Sequence, residues 1–290
     1  HIGVLRALER AGVEVDVVCG TSVGALVGGV YLAGRLDELE EWVRKLNMLR
    51  LLRYLDIRVK GGGLIAGDRL MTRLERDLDG IAVEELEKPF AAIATELPTG
   101  HEIWLRRGPL ANAVRASFAL PGVFTPYPYE GRWLVDGALV NPVPVSVCRA
   151  FASRLVIAVN LNADIIGKER QPRARPQHPT GLAGATEGKP GGRVRRIAEH
   201  RVESLMRRVL GTDQDEGPSL FSVMASSLGV IQDRLSRSRL AGDPPDVTIA
   251  PRLGHIGLLE FDRAEEAIAE GEAATERALP FLQEALAVLG

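Results

Sequence analysis

The chain has 290 residues, 46% of them apolar and 26% charged, an ordinary globular composition that excludes disorder throughout, a collagen-like rod and a disulfide scaffold. Lys and Arg number 36 against 38 Asp and Glu, a net charge of -2, so the chain as a whole has no footprint for nucleic acid. Its two cysteines, Cys19 and Cys148, stand far apart among apolar residues; they cannot build a zinc site alone and read as buried, reduced thiols of a cytosolic protein.

No apolar run reaches the roughly 18–20 residues of a membrane span, so the protein is expected in the cytoplasm, soluble or peripheral at the inner membrane. His1 to Gly12 reads as an amphipathic helix with Ile2, Leu5 and Leu8 on one side. Val13 to Cys19 is a β-branched run that predicts a buried strand ending at Gly20. Ser22 to Gly34 suits a helix packed on several sides, and Leu36 to Leu46 another whose acidic residues come early.

After the glycines at 61–63 the pattern predicts a helix from Asp68 to Leu78 and a strand from Phe90 to Ala94. That strand is hairpinned to Glu102–Leu105 across Pro98-Thr99-Gly100. A helix over Leu110 to Phe118 stops before Pro121-Gly122. A short strand, Trp133 to Val135, ends at Asp136-Gly137, a helix follows from Val143 to Phe151, and Leu155 to Asn160 is the most strand-like run in the chain. Helices over Arg193–Leu210 and Leu220–Leu240, a strand over Val247–Ala250 and a closing helix over Ala264–Leu289 complete the order. Alternation of strands and helices predicts a layered α/β domain with a largely parallel sheet.

From Gln171 to Gly192 the chain is rich in Pro, Gly and Arg and reads as a flexible loop. Lys168 to Arg208 holds eleven Lys or Arg against four Glu, a local excess of seven positive charges. The helix within it also carries an apolar stripe, Val194, Ile197, Ala198, Leu205, Met206 and Val209. Adsorption to an anionic membrane is one reading of this stretch; a solvated helix covering the sheet is the other. The chain is therefore divided into 1–162, a catalytic domain, 163–216, a basic loop and helix, and 217–290, which completes the first domain.

Gly20-Thr21-Ser22-Val23-Gly24 matches G-x-S-x-G at a strand-to-helix junction, where glycines at both outer positions let a sharp turn push the serine hydroxyl out from the strand end. The same letters fit a tight turn whose Ser22 caps the helix. A serine nucleophile needs a base. Of the histidines His1, His101, His178, His200 and His255, only His255 is late and loop-like enough for a Ser-His-Asp esterase. The other candidate is Asp136 in Asp136-Gly137-Ala138, again at a strand end, although an Asx turn would use the same residues. Phe118, Pro121 and Phe124, with Leu120, Val123, Pro126 and Tyr127, read either as an acyl-chain pocket or as a proline-stiffened core loop.

The runs HIGVLRALERAGVEVDVVCGTSVGALVGGVYLAG, GGGLIAGDRL, RASFALPGVFTPY, WLVDGALVNPVPV and AGDPPDVTIAP resemble the bacterial patatin-like phospholipases of the neuropathy-target-esterase type, in particular their small stand-alone members. The resemblance fails only from about Ala163 to Gly217. It implies a three-layer α/β/α fold and a serine lipid acyl hydrolase acting on a phospholipid or other fatty-acyl ester. The Ser-Asp dyad would be Ser22 as nucleophile and Asp136 as proton acceptor, with no metal and no cofactor. The family places a glycine-rich oxyanion loop directly before the helix at which this sequence begins, so a chain without that loop and its strand is expected to turn over poorly. A non-catalytic regulatory protein with the same fold is the alternative outside the enzymes.

An unperturbed Asp, near ~3.9, is about 2.6 units less basic than a His near ~6.5. A Ser-Asp dyad is therefore expected to raise the Asp pKa by burial or to rely on close positioning.

Overall fold

Phe90–Glu96 is the strand around which the sheet is organised, because it pairs on both of its edges. The computed structural model describes residues 1–46, 68–164, 220–257, 260 and 263–289. In chain order these form α1 (Ile2–Arg10), β1 (Val18–Thr21), α2 (Val23–Leu32), α3 (Leu36–Arg44), α4 (Asp68–Asp77), β2 (Phe90–Glu96), β3 (Glu102–Leu105) and α5 (Leu110–Ser117). Then come β4 (Tyr127–Tyr129), β5 (Arg132–Asp136), α6 (Val145–Ala150), β6 (Ile157–Val159), α7 (Leu220–Gly242), β7 (Val247–Ile249) and α8 (Ala264–Leu289). The chain divides into two compact units, residues 1–168 with 229–290, and 169–228; of the second, only the opening of α7 is described. The helix expected over Arg193–Leu210 and the basic loop lie outside the described residues.

Among the described residues the five-stranded sheet is mixed. β1 runs parallel to β2, whereas β3 and β5 pair with β2, and β4 with β5, antiparallel. β6 and β7 form a separate parallel pair. Alternate residues of β2 face opposite sides, as the period of a strand requires. Phe90, Ala92 and Ala94 pack with Ala25 and Val30 of α2 and Leu110, Ala113 and Val114 of α5. Ala91 and Ile93 pack on the other side with Cys19, Val147 and Phe151 around α6. Small side chains on both faces of β2 let helices approach from either side, and the result is a three-layer α/β/α arrangement. A second apolar cluster joins Val4 and Leu8 of α1 to Val247 and Ile249 of β7 and to Ala274, Ala278 and Leu282 of α8.

Two strands depart from expectation. The run Val13–Cys19 forms ladder only from Val18, which is opposite Phe90. Val13 instead donates its N–H to the Leu8 carbonyl and packs against the α1–α8 cluster, so β-branched residues here serve packing and not pairing. Tyr127, read from sequence as part of either an acyl-chain pocket or a proline-stiffened core loop, opens a strand, Tyr127–Tyr129, that runs through Pro128. A proline is tolerated there because β4 has one partner, β5, among the described strands, and leaves its other edge unpaired.

Candidate active site

β1 ends at Thr21, α2 starts at Val23, and Ser22 makes the whole turn between them at φ 56° and ψ -123°. A positive φ at a serine is a strained conformation of the kind a functional turn retains. Gly20 permits it: a Cβ there would stand 2.5 Å from the backbone of Gly24 and Ala25. The Ser22 side chain makes no cap hydrogen bond to α2. Its Oγ donates instead to Asp136 Oδ2 at 2.6 Å.

The register of β2 explains why these two residues meet across 114 positions of sequence. Ala92 and Ile93 pair with Gly20 and Thr21 on one side and with Leu105 and Trp104 on the other, so β1 and β3 lie on opposite edges. Ala94 and Thr95 pair with Asp136 and Val135 opposite Ile103 and Glu102, which puts β5 on the same edge as β1. β1 runs with β2 and β5 against it. Their carboxyl ends therefore converge on consecutive residues, Thr21 at Ile93 and Asp136 at Ala94.

Asp136 is wholly buried and held at every polar atom. Oδ1 accepts the N–H of Ala138 at 2.8 Å, so the Asx-type turn through Gly137 and the contact with Ser22 coexist on one carboxylate. Its own N–H donates to the Ala119 carbonyl and its carbonyl accepts from Thr95 Oγ. Burial pushes the carboxyl up to about 6, while the hydrogen bonds from Ser22 and Ala138 pull it partly back. That value is close to the range of a free histidine, so the buried carboxylate has the proton affinity which an exposed aspartate lacks.

Sequence reasoning did not single out Ser117. The Ser22 N–H donates to Ser117 Oγ at 2.9 Å, and the Ser117 hydroxyl donates to the Ile93 carbonyl at 2.5 Å. The signal available was a serine closing the otherwise aliphatic inner face of α5, where a buried hydroxyl must find partners. Thr21 Oγ donates to the Asn141 carbonyl at 2.7 Å, and Asn141 Nδ2 donates to Glu102 at 3.0 Å. These bonds tie the turn to the segment after Gly137-Ala138.

Phe118, Leu120, Val123 and Phe124 are buried, with the Phe118 and Phe124 rings 5.2 Å apart, and Pro121 is half-buried beside them. The bond from Asp136 N–H to Ala119 fixes this segment against the carboxylate. Of the described histidines, His255 Nε2 is bonded to the surface carboxylate of Glu266 at 2.6 Å and His101 is exposed 4.0 Å from Glu96, whereas the His1 ring lies against Gly24 beside the turn with its Nδ1 buried and without a hydrogen-bond partner among the described residues. His178 and His200 fall outside the described residues. Cys19, three residues before Ser22, shares a hydrogen bond with Cys148, which with burial raises the Cys19 thiol. Among the described residues no cluster of His, Cys, Asp and Glu could hold a metal ion, and no helix is long and apolar enough to cross a membrane.

Comparison with known proteins places the chain. The family model of the patatin-like phospholipases matches residues 1–149. An uncharacterized NTE family protein of Mycobacterium tuberculosis strain H37Rv is 32% identical over 313 residues, covering 96% of this chain and 87% of the relative. The human patatin-like phospholipase domain-containing protein 6 is 31% identical over 170 residues, 56% of this chain and 12% of that protein. A Caenorhabditis elegans patatin-like phospholipase domain-containing protein is 33% identical over a stretch of the same length. The chain belongs to the patatin-like phospholipase family.

Proposed function

We propose that this protein is a serine lipid acyl hydrolase in which Ser22 is the nucleophile and Asp136 the proton acceptor. The observation that carries the reading is the 2.6 Å hydrogen bond from Ser22 Oγ to a carboxylate raised to about 6 by complete burial. As Oγ attacks the ester carbonyl, its proton passes to Asp136 Oδ2. The tetrahedral intermediate collapses, the leaving alcohol takes that proton, and an acyl-enzyme remains. Water then attacks the acyl carbonyl, gives a proton to Asp136, and the fatty acid leaves as Ser22 recovers its hydrogen. The chain's own groups supply each proton transfer.

Two further parts of the reading concern the substrate. The Phe118–Phe124 segment, anchored to Asp136 through Ala119, is suited to receive the acyl chain. The positive excess of Lys168–Arg208 fits adsorption to an anionic phospholipid surface. A Ser-His-Asp esterase has less support, since His255 is committed to Glu266. A non-catalytic role leaves unexplained why a carboxylate is kept fully buried against a strained serine. The test is covalent labelling by a fluorophosphonate together with ester hydrolysis in the full-length protein. Ser22→Ala is expected to abolish both while leaving the circular dichroism unchanged; labelling equal to the parent would refute the nucleophile assignment.

A further inference from the structure

Among the described residues, side-chain groups near Ser22 that the proton transfers above do not use include the Cys19–Cys148 thiols, the Asn141–Glu102 pair and Ser117. Cys19 packs on the Ile93 face of the sheet and Cys148 against Val143 and Val145, and Asn141 reaches the turn through its carbonyl. Of these, Ser117 touches the nucleophilic residue itself, through a side chain that a substitution can remove.

We propose that Ser117 is a positioning residue for Ser22, holding its main chain in the bent conformation from which Oγ reaches Asp136. The inference rests on the Ser-Asp reading given above.

The geometry carries it in three steps. First, Ser22 at φ 56° would relax toward ordinary backbone if nothing held it, and its N–H is fastened by Ser117 Oγ at 2.9 Å. Second, Ser117 is itself fully buried at the end of α5 and spends its own hydrogen on the Ile93 carbonyl at 2.5 Å. Its lone pairs therefore face Ser22, and the hydroxyl has one orientation. Third, Ile93 is the β2 residue opposite Thr21, next to the one opposite Asp136. Ser117 thus references the nucleophile to the strand that places its base. The same bond occupies the Ser22 N–H, so that donor is not free for a developing oxyanion, whose stabilisation falls to other groups.

Removing the hydroxyl leaves two buried groups without partners, the Ser22 N–H and the Ile93 carbonyl, and frees the turn to rotate. Oγ then spends less time on Asp136. Neither group belongs to the Phe118–Phe124 segment proposed to receive the acyl chain, so substrate binding is expected to change little.

The experiment compares the parent with Ser117→Ala and Ser117→Cys in the full-length protein, using a soluble p-nitrophenyl ester and a fluorophosphonate, with rates normalised to the folded fraction. Ser117→Ala is expected to lower kcat and the labelling rate about 10- to 100-fold with KM within about twofold of the parent. Ser117→Cys, of similar size and with a weakly accepting sulfur, should fall between and keeps the test open if the alanine variant folds badly. The acid limb of kcat/KM should also move to higher pH in Ser117→Ala, because Asp136 loses part of the Ser22 bond that lowers it; a purely structural role would leave the limb in place. Parental kcat in both variants, or a loss that disappears after normalisation with the acid limb unmoved, would overturn the proposal. A parent that is not labelled on Ser22 would instead overturn the Ser-Asp reading, and this inference with it.

Discussion

Gly137 passes so close to Ile93 that a Cβ atom added to it would stand 2.1 Å from the Ile93 carbonyl oxygen. That oxygen already accepts the Ser117 hydroxyl, so it cannot move away without releasing the bond. Gly137→Ala must therefore push β5 off β2 at the point where Asp136 is anchored. It is expected to lose at least the ~1–3 kcal/mol typical of overpacking and, in the molecules that still fold, most of the fluorophosphonate labelling. Urea unfolding beside labelling checks both; a variant with parental stability would show that the strands can separate freely here.

Asp136→Asn keeps the shape of the carboxylate and removes its basicity. Ester hydrolysis is expected to fall at least 100-fold, whereas His255→Ala should stay within about twofold of the parent, since that imidazole is bonded to Glu266 at the protein surface. Steady-state kinetics on both variants separates the two catalytic readings. The reverse pattern would point to a histidine-dependent mechanism.

The raised pKa of Asp136 has a kinetic and a thermodynamic consequence of opposite sense. Only the carboxylate accepts a proton, so kcat/KM should fall as pH drops through about 6. For stability, the folded state holds the Asp136 proton up to about 6 while the unfolded chain releases it near 3.8. Between those values the native state binds more protons, so this group's contribution falls as pH rises and is fully lost above about 6. The loss is of order 3 kcal/mol. Asp136→Asn should accordingly be more stable than the parent at pH 8, with the difference vanishing near pH 4. Chemical denaturation at the two pH values tests the sign; a variant less stable at pH 8 would contradict it.

The basic stretch makes a prediction independent of the dyad. Binding to anionic vesicles should weaken steeply as salt shortens the Debye length from ~10 Å at 0.1 M to ~3 Å at 1 M. Replacing Arg193, Arg195 and Arg196 with Gln should weaken it by about 1 kcal/mol per residue and leave soluble-ester turnover unchanged. Co-sedimentation over a salt series, run beside the ester assay, measures both. Salt-insensitive binding would assign the segment a covering role instead.

Helices were the most legible elements, because a helix is specified by neighbours three and four residues away. α8 has the predicted bounds Ala264–Leu289, and the β2–β3 hairpin follows from its Pro-Thr-Gly turn. Strand edges were less so. Among the described residues Val13–Val17 has strand composition without a ladder partner, and β4 keeps its ladder partner despite the proline between its two tyrosines, since pairing depends on what lies opposite. Ser22 and Asp136 were each recognisable as strand-end residues flanked by glycine. Their adjacency depends on the register of β2 with two distant segments, and the part played by Ser117 on a side-chain bond to a backbone group; neither leaves a local pattern.

The convergence of β1 and β5 on one edge of β2 also bears on the order of folding. Ser22 and Asp136 arrive at the ends of different strands, and among the described residues each strand is laddered to β2 and not to the other. Contacts of such long sequence separation close late and slowly, because the loop entropy is lost before any pairing compensates it. A partly folded chain can thus have its helices and the β2–β3 hairpin and still present no reactive serine. Fluorophosphonate reactivity during refolding should therefore lag behind the recovery of helical circular dichroism, which would make it a reporter of completed long-range sheet pairing.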